Sequence, residues 1–106
     1  SDRIHRALDY ARKNLKNELS VEELAEVANL SPRQFSRMFT KETGHPPAKA
    51  VEKIRLEIAR LMLEESTHSL DIVAVEAGFG DRERMRKAFV RTLGHAPQFI
   101  RQKASA

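Results

Sequence analysis

VEELAEVANLSPRQFSRMFTKETGHPP, from Val21 to Pro47, decides the fold because it returns as LDIVAVEAGFGDRERMRKAFVRTLGHAP from Leu70 to Pro97. Each copy spells a short helix, a tight turn, a second helix and a Gly-His-x-Pro stop. Ala25 matches Ala74, Ala28 matches Ala77 and Leu30 matches Phe79, all at an offset of 49. Phe35 then matches Met85, and Phe39, Gly44, His45 and Pro47 match Phe89, Gly94, His95 and Pro97, all at 50, so one residue has been inserted at the second turn. Asn29 aligns with Gly78, and these residue types best tolerate the left-handed backbone that such a turn requires.

Outward from the repeat, every segment reads as helix. Ile4, Ala7, Leu8, Ala11 and Leu15 recur at helical spacing and define an opening amphipathic helix. Ser20 with Glu23 and Ser31 with Gln34 have capping-box spacing, and Pro32 stands at a favoured first helical position. Gly44 ends that helix. A longer one runs from Ala48 to about Glu65, with Val51, Ile54, Ile58, Leu61 and Met62 expected on one face. Ser69 or Asp71 starts the next, Asp81 caps the one after the turn, Gly94 ends it, and Pro97 opens a final helix toward Arg101. The expectation is an all-α chain of seven helices: a homeodomain-like pair of helix-turn-helix lobes, residues 1–47 and 67–106, joined by a connecting helix over 48–66.

Composition narrows the chemistry. The chain has 106 residues and no cysteine, so no disulfide or thiolate metal site can form. Nineteen basic against fifteen acidic side chains give a net charge of +4, which permits a polyanionic partner without demanding one. No apolar run approaches the ~20 residues of a membrane span, and the N-terminal SDRIHRALDY lacks a signal peptide's apolar region. A cytoplasmic location is expected, with no membrane partner. No Gly-rich phosphate loop, nucleophile elbow or Ser/His/Asp constellation is present, so the reading is of a non-enzyme. His45 and His95 each follow a helix-stopping glycine, where an imidazole can satisfy end carbonyls, and neither metal nor cofactor is expected.

Charge is sorted by helix. Glu22, Glu23 and Glu26 fall on the first helix of copy one, whereas its second helix has three basic and no acidic residues between Ser31 and Lys41. With Phe35, Met38 and Phe39 turned inward, Arg33, Ser36, Arg37, Thr40 and Lys41 lie outward or at the edge. In copy two Met85, Ala88 and Phe89 point inward, leaving Arg82, Glu83, Arg86, Lys87 and Arg91 outside. The four spaced phenylalanines, Phe35, Phe39, Phe79 and Phe89, are assigned to packing, and Arg55 to a structural ion pair. Glu83 and Arg84 also have the spacing for pairs with surface neighbours.

The doubled motif, the strings SPRQFSRMFTKETGHPP and GFGDRERMRKAFVRTLGHAP, and Arg55, Ala59, Met62 and Leu63 in the connecting helix resemble the DNA-binding domain of AraC/XylS transcription regulators. The likeness covers nearly the whole chain. The segment ERMRKAF is most similar to the subgroup with an N-terminal PfpI-like, amidotransferase-like domain. Ala50 and Ile100 stand where the family often has tyrosine, and Arg84 and Met85 where it has an aromatic pair.

Carried over by position, the resemblance implies a base-reading face of Arg33, Ser36 and Arg37 in the first motif and of Arg82, Glu83, Arg86 and Lys87 in the second. Ser20, Ser31, Thr40, Lys41, Ser69 and Arg91 are assigned to phosphate. The implied function is sequence-specific binding of double-stranded DNA in adjacent major grooves, regulating transcription, with RNA polymerase a further candidate partner and the isolated domain a monomer. Two unlike faces imply an asymmetric operator with boxes about one turn, ~34 Å, apart. A spacer helix of ~27 Å would favour DNA bent toward the protein. The competing readings are a helical protein-interaction module and a sequence-blind architectural DNA binder.

Overall fold

The computed structural model describes residues 1–105, and among them every regular element is an α-helix. In chain order these are α1 (Asp2–Lys13), α2 (Val21–Val27), α3 (Pro32–Thr43), α4 (Pro47–Glu65), α5 (Leu70–Glu76), α6 (Arg82–Leu93) and α7 (Pro97–Ser105). The chain divides into two compact units, Ser1–Lys53 and Ile54–Ala106, and the division falls inside α4.

Each repeat closes its turn with the same hydrogen bonds. In the first unit Ala28 is the C-cap of α2, Asn29 takes φ 59°, and the N–H groups of Asn29 and Leu30 donate to Glu26 and Ala25 carbonyls at 3.0 Å each. In the second, Ala77 is the C-cap of α5, Gly78 takes φ 92°, and the N–H groups of Gly78 and Phe79 donate to the Val75 and Ala74 carbonyls at 3.1 and 2.8 Å. This is the Schellman pattern, which uses the orphan carbonyls of a finished helix. The inserted residue is Gly80, also left-handed at φ 92°. It delays the N-cap, so Asp81 occupies the place that Ser31 holds directly after Leu30.

Among the described residues five helix starts are capped by side chains. Ser1, Ser20, Ser31, Ser69 and Asp81 each accept from the backbone N–H three residues on. Only Ser31 completes a capping box, because Gln34 Oε1 returns to its N–H at 3.2 Å. The box expected at Ser20 is half formed: the Glu23 carboxylate instead accepts from the Tyr10 hydroxyl and ties α1 to α2. That bond to a carboxylate raises the Tyr10 pKa, with desolvation contributing.

The first core packs Ile4, Ala7 and Ala11 of α1, Leu24, Ala25 and Ala28 of the α2 region, Phe35 and Phe39 of α3, and Val51. The Phe35 and Phe39 rings lie 5.5 Å apart and tilted by 50°, a favourable edge-biased arrangement. The second core packs Leu56, Ala59 and Leu63 of α4 with Val73, Ala74, Ala77, Phe79, Met85, Ala88, Phe89 and Ile100. Alanine at the α2 and α5 contact positions lets the helices approach closely. The four phenylalanines assigned to packing are therefore core residues.

Three further expectations need correction. Leu15 is buried but lies beyond the end of α1 at Lys13. On α4, Leu61 is 41% exposed, and the residues that enter the second core are Leu56, Ala59 and Leu63. The helix serves one core with Val51 and another with those three, so it carries no single apolar stripe. The imidazoles do not cap α3 and α6: the N–H groups of Gly44 and Gly94 donate to Thr40 and Val90 at 2.8 and 3.0 Å, both glycines being left-handed. The His95 ring instead meets the Ala96 carbonyl at 3.4 Å and stacks on Phe99 at 4.6 Å.

Arg101 of α7 supplies a tie without a sequence signature. Its Nη1 donates to the His68 carbonyl at 2.6 Å, Nη2 to Ser66 at 3.1 Å and Nε to Leu63 at 3.4 Å. One guanidinium thus satisfies carbonyls at the end of α4 and in the loop that leads to the Ser69 cap, fixing where α5 begins.

Candidate nucleic-acid interface

On α3 the spacing i, i+3, i+4, i+7, i+8 puts Arg33, Ser36, Arg37, Thr40 and Lys41 on one side, opposite buried Phe35 and Phe39. All are exposed except Ser36, which is half-buried. Among the described residues Arg33, Arg37 and Lys41 form no ion pair, so their donors are available to a ligand. The acidic neighbour α2 keeps Glu23 engaged with Tyr10. α3 has no acidic residue in its first turn, and Lys41 stands in its last.

The second motif presents a different surface. Arg82, Glu83, Arg86, Lys87 and Arg91 of α6 are exposed, opposite buried Met85, Ala88 and Phe89. Here most arginines are held. Arg86 donates to Glu83 twice, from Nη2 to Oε1 at 2.6 Å and from Nε to Oε2 at 3.0 Å. That hydrogen bonding pulls the Glu83 pKa below its ordinary value and pushes Arg86 up. Arg82 Nε lies 3.8 Å from Asp71 of α5, and Arg84 Nε lies 3.8 Å from its own cap, Asp81. Glu83 and Arg84 thus pair with neighbours as their spacing suggested. Lys87 forms no ion pair among the described residues.

Of the residues assigned to phosphate, Ser20, Ser31 and Ser69 are exposed, but each hydroxyl already accepts a helix N–H. Thr40, Lys41 and Arg91 are exposed on the α3 and α6 surfaces. Val90, 43% exposed between Arg86 and Arg91, was not picked out from sequence. Its counterpart in copy one is Thr40, so the repeat alignment held the clue. Ile72 and Val75 of α5 are also exposed, at positions where α2 has Glu23 and Glu26.

Two three-helix units, each offering the second helix of a capped helix-turn-helix with a polar, cation-bearing face, define a double helix-turn-helix protein. A family model described as "Helix-turn-helix domain" matches residues 24–103. A helix-turn-helix-type transcriptional regulator of Mycobacterium tuberculosis is 44% identical over 80 residues, covering 76% of this chain and 31% of that protein. The DNA-binding domain of AdpA, a global transcriptional factor solved in complex with a target DNA, superposes with TM-score 0.90 at 34% identity over 97% of this chain and 93% of that one. A Chromobacterium violaceum regulator whose domain is described as AraC-type shares the fold, with TM-score 0.88 at 22% identity over 98% and 93%. The chain belongs to the helix-turn-helix domain family. It spans 31% and 39% of the length of two of the curated relatives it matches.

Proposed function

We propose that the chain binds double-stranded DNA sequence-specifically through α3 and α6, each entering the major groove, and thereby regulates transcription from an asymmetric operator. The observation that carries this reading is that both helices expose side chains able to read base edges opposite a fully apolar buried face. In the first motif Arg33, Ser36 and Arg37 read bases. Arginine forks onto guanine O6 and N7, and each good contact discriminates by about 1–3 kcal/mol. In the second, Arg82, Arg86 and Lys87 form the corresponding face, with Glu83 beside Arg86 on the same side of α6.

Lys41, Thr40 and Arg91 position the protein on phosphates, as do the helix starts at Ser20, Ser31 and Ser69, through amides that the caps leave over. In this reading the two boxes lie about one turn apart, and the function is binding rather than catalysis.

The whole protein has a further, N-terminal domain in this reading. The ERMRKAF segment of α6 supports an amidotransferase-like partner domain of the PfpI type, with action in the cytoplasm and RNA polymerase as the downstream contact. The domain by itself is a monomer.

The division between reading and positioning is tested by two variants. Arg37→Ala should relax preference at one base pair by about 5- to 150-fold while leaving random-sequence binding little changed. Lys41→Ala should weaken all duplexes alike and lower the salt slope by about one. Equal losses on selected and random duplexes for both variants would remove the distinction.

A further inference from the structure

The surface of α6 holds a pair that α3 cannot form. The counterparts of Glu83 and Arg86 in copy one are Arg33 and Ser36, so the carboxylate–guanidinium contact belongs to the second motif alone. Both side chains are about half exposed, 58% for Glu83 and 47% for Arg86. Pairs that open to water contribute little to stability, so holding the fold together does not explain such close two-point geometry.

The geometry does explain a preset reading group. A guanidinium has five N–H donors in a fixed plane. Glu83 takes the side edge, Nε–H with one Nη2–H, at 3.0 and 2.6 Å. The end edge keeps two parallel donors, one on Nη1 and the second on Nη2, which is the fork that matches guanine N7 and O6. The contact leaves that fork free while fixing the plane that carries it. Both Glu83 oxygens are meanwhile turned to Arg86, and the paired arginine offsets a negative charge that the phosphates would otherwise repel.

Resting on the reading that α6 faces the major groove, we propose that Glu83 is a positioning residue for Arg86 rather than a base reader. Its carboxylate holds the guanidinium from the side, so that the end edge meets a single guanine. Arg86 then enters the groove with its rotamers already restricted, and less freedom is lost when it binds. The second box should contain one strongly preferred guanine, set by two residues of which only one touches it.

The test is parallel selection of the wild-type chain and the Glu83→Gln, Arg86→Ala and doubly substituted chains from a randomised duplex pool of about 25 base pairs. Base preferences are read at each position, and thermal unfolding is followed alongside. Glu83→Gln should weaken preference for one guanine by about 3- to 10-fold, at the position that Arg86→Ala abolishes. The double variant should match Arg86→Ala, and the unfolding temperature should not move. The role is overturned if Glu83→Gln alters a different base pair and adds to Arg86→Ala, which would make Glu83 a cytosine reader. It is equally overturned if only Arg86→Ala changes any preference, leaving a solvated ion pair. Should neither variant alter a position that the wild-type chain discriminates, the placement of α6 in the groove fails, and the positioning role with it.

Discussion

Phe89→Ala is expected to destabilise the second unit by about 3–5 kcal/mol, the usual loss when a fully buried phenylalanine is truncated. Phe89 has no exposed surface, and the core around it is built of Leu56, Leu63, Val73, Ala74, Met85 and Ile100. No buried polar side chain is present among the described residues to hydrate the space left behind, so a cavity there would stay dry and its walls would lose contacts. The two cores share no residue. Amide exchange should therefore show protection lost in α5 and α6, while Leu24, Phe35 and Phe39 keep theirs. Functionally, this variant should retain contacts to one box and lose the other. A loss below about 1 kcal/mol, or equal deprotection of both units, would contradict this description of the cores.

Duplex affinity should fall by about 10²–10³-fold between 50 and 200 mM salt, the change that neutralising about four to six phosphates produces. The cations concerned are Lys41 and Arg91, together with whichever of Arg33, Arg37, Arg82 and Lys87 reaches the backbone. The motifs should not contribute equally. Arg33, Arg37 and Lys41 form no ion pair among the described residues, whereas Arg82, Arg84 and Arg86 already have carboxylate neighbours. Removing the three α3 cations should flatten the salt slope more than removing three from α6, as measured by fluorescence anisotropy on a labelled duplex. An equal effect from both helices would mean that the α6 carboxylates release their arginines on binding.

Much of this architecture was legible because short-range physics wrote it. Asn29 and Gly78 marked the turns, since few residues accept left-handed backbone; Ser31, Ser69 and Asp81 marked helix starts by offering an oxygen to free amides. Periodicity separated buried Phe35, Phe39, Met85 and Phe89 from the charged faces. What escaped was long-range or ambiguous in period. Tyr10 reaches Glu23 and Arg101 reaches carbonyls at residues 63, 66 and 68 through tertiary contacts that no spacing rule encodes. On α4, apolar residues occupy several faces because the helix contributes to both cores, and Leu61 was misplaced as a result. The candidate interface was legible as a set of exposed residues but not as a network. Glu83 was read as able to pair but without its partner, and Arg82 and Arg86 were read singly, while the structure joins Glu83 to Arg86 and Arg82 to Asp71.

The repeat also has a functional reading in its differences. Two copies that share caps, turns and core residues differ most on the exposed sides of α3 and α6, where Arg33 faces its counterpart Glu83 in alignment and Ser36 its counterpart Arg86. A shared scaffold with unlike outer faces is what an asymmetric double site requires.

Selection of the 106-residue chain against a random pool of duplexes about 25 base pairs long, at near-physiological salt, tests the paired reading of DNA most directly. Enrichment of two unlike boxes centred about one helical turn apart is the expected result. A single box, a palindrome or no enrichment above random sequence would contradict it.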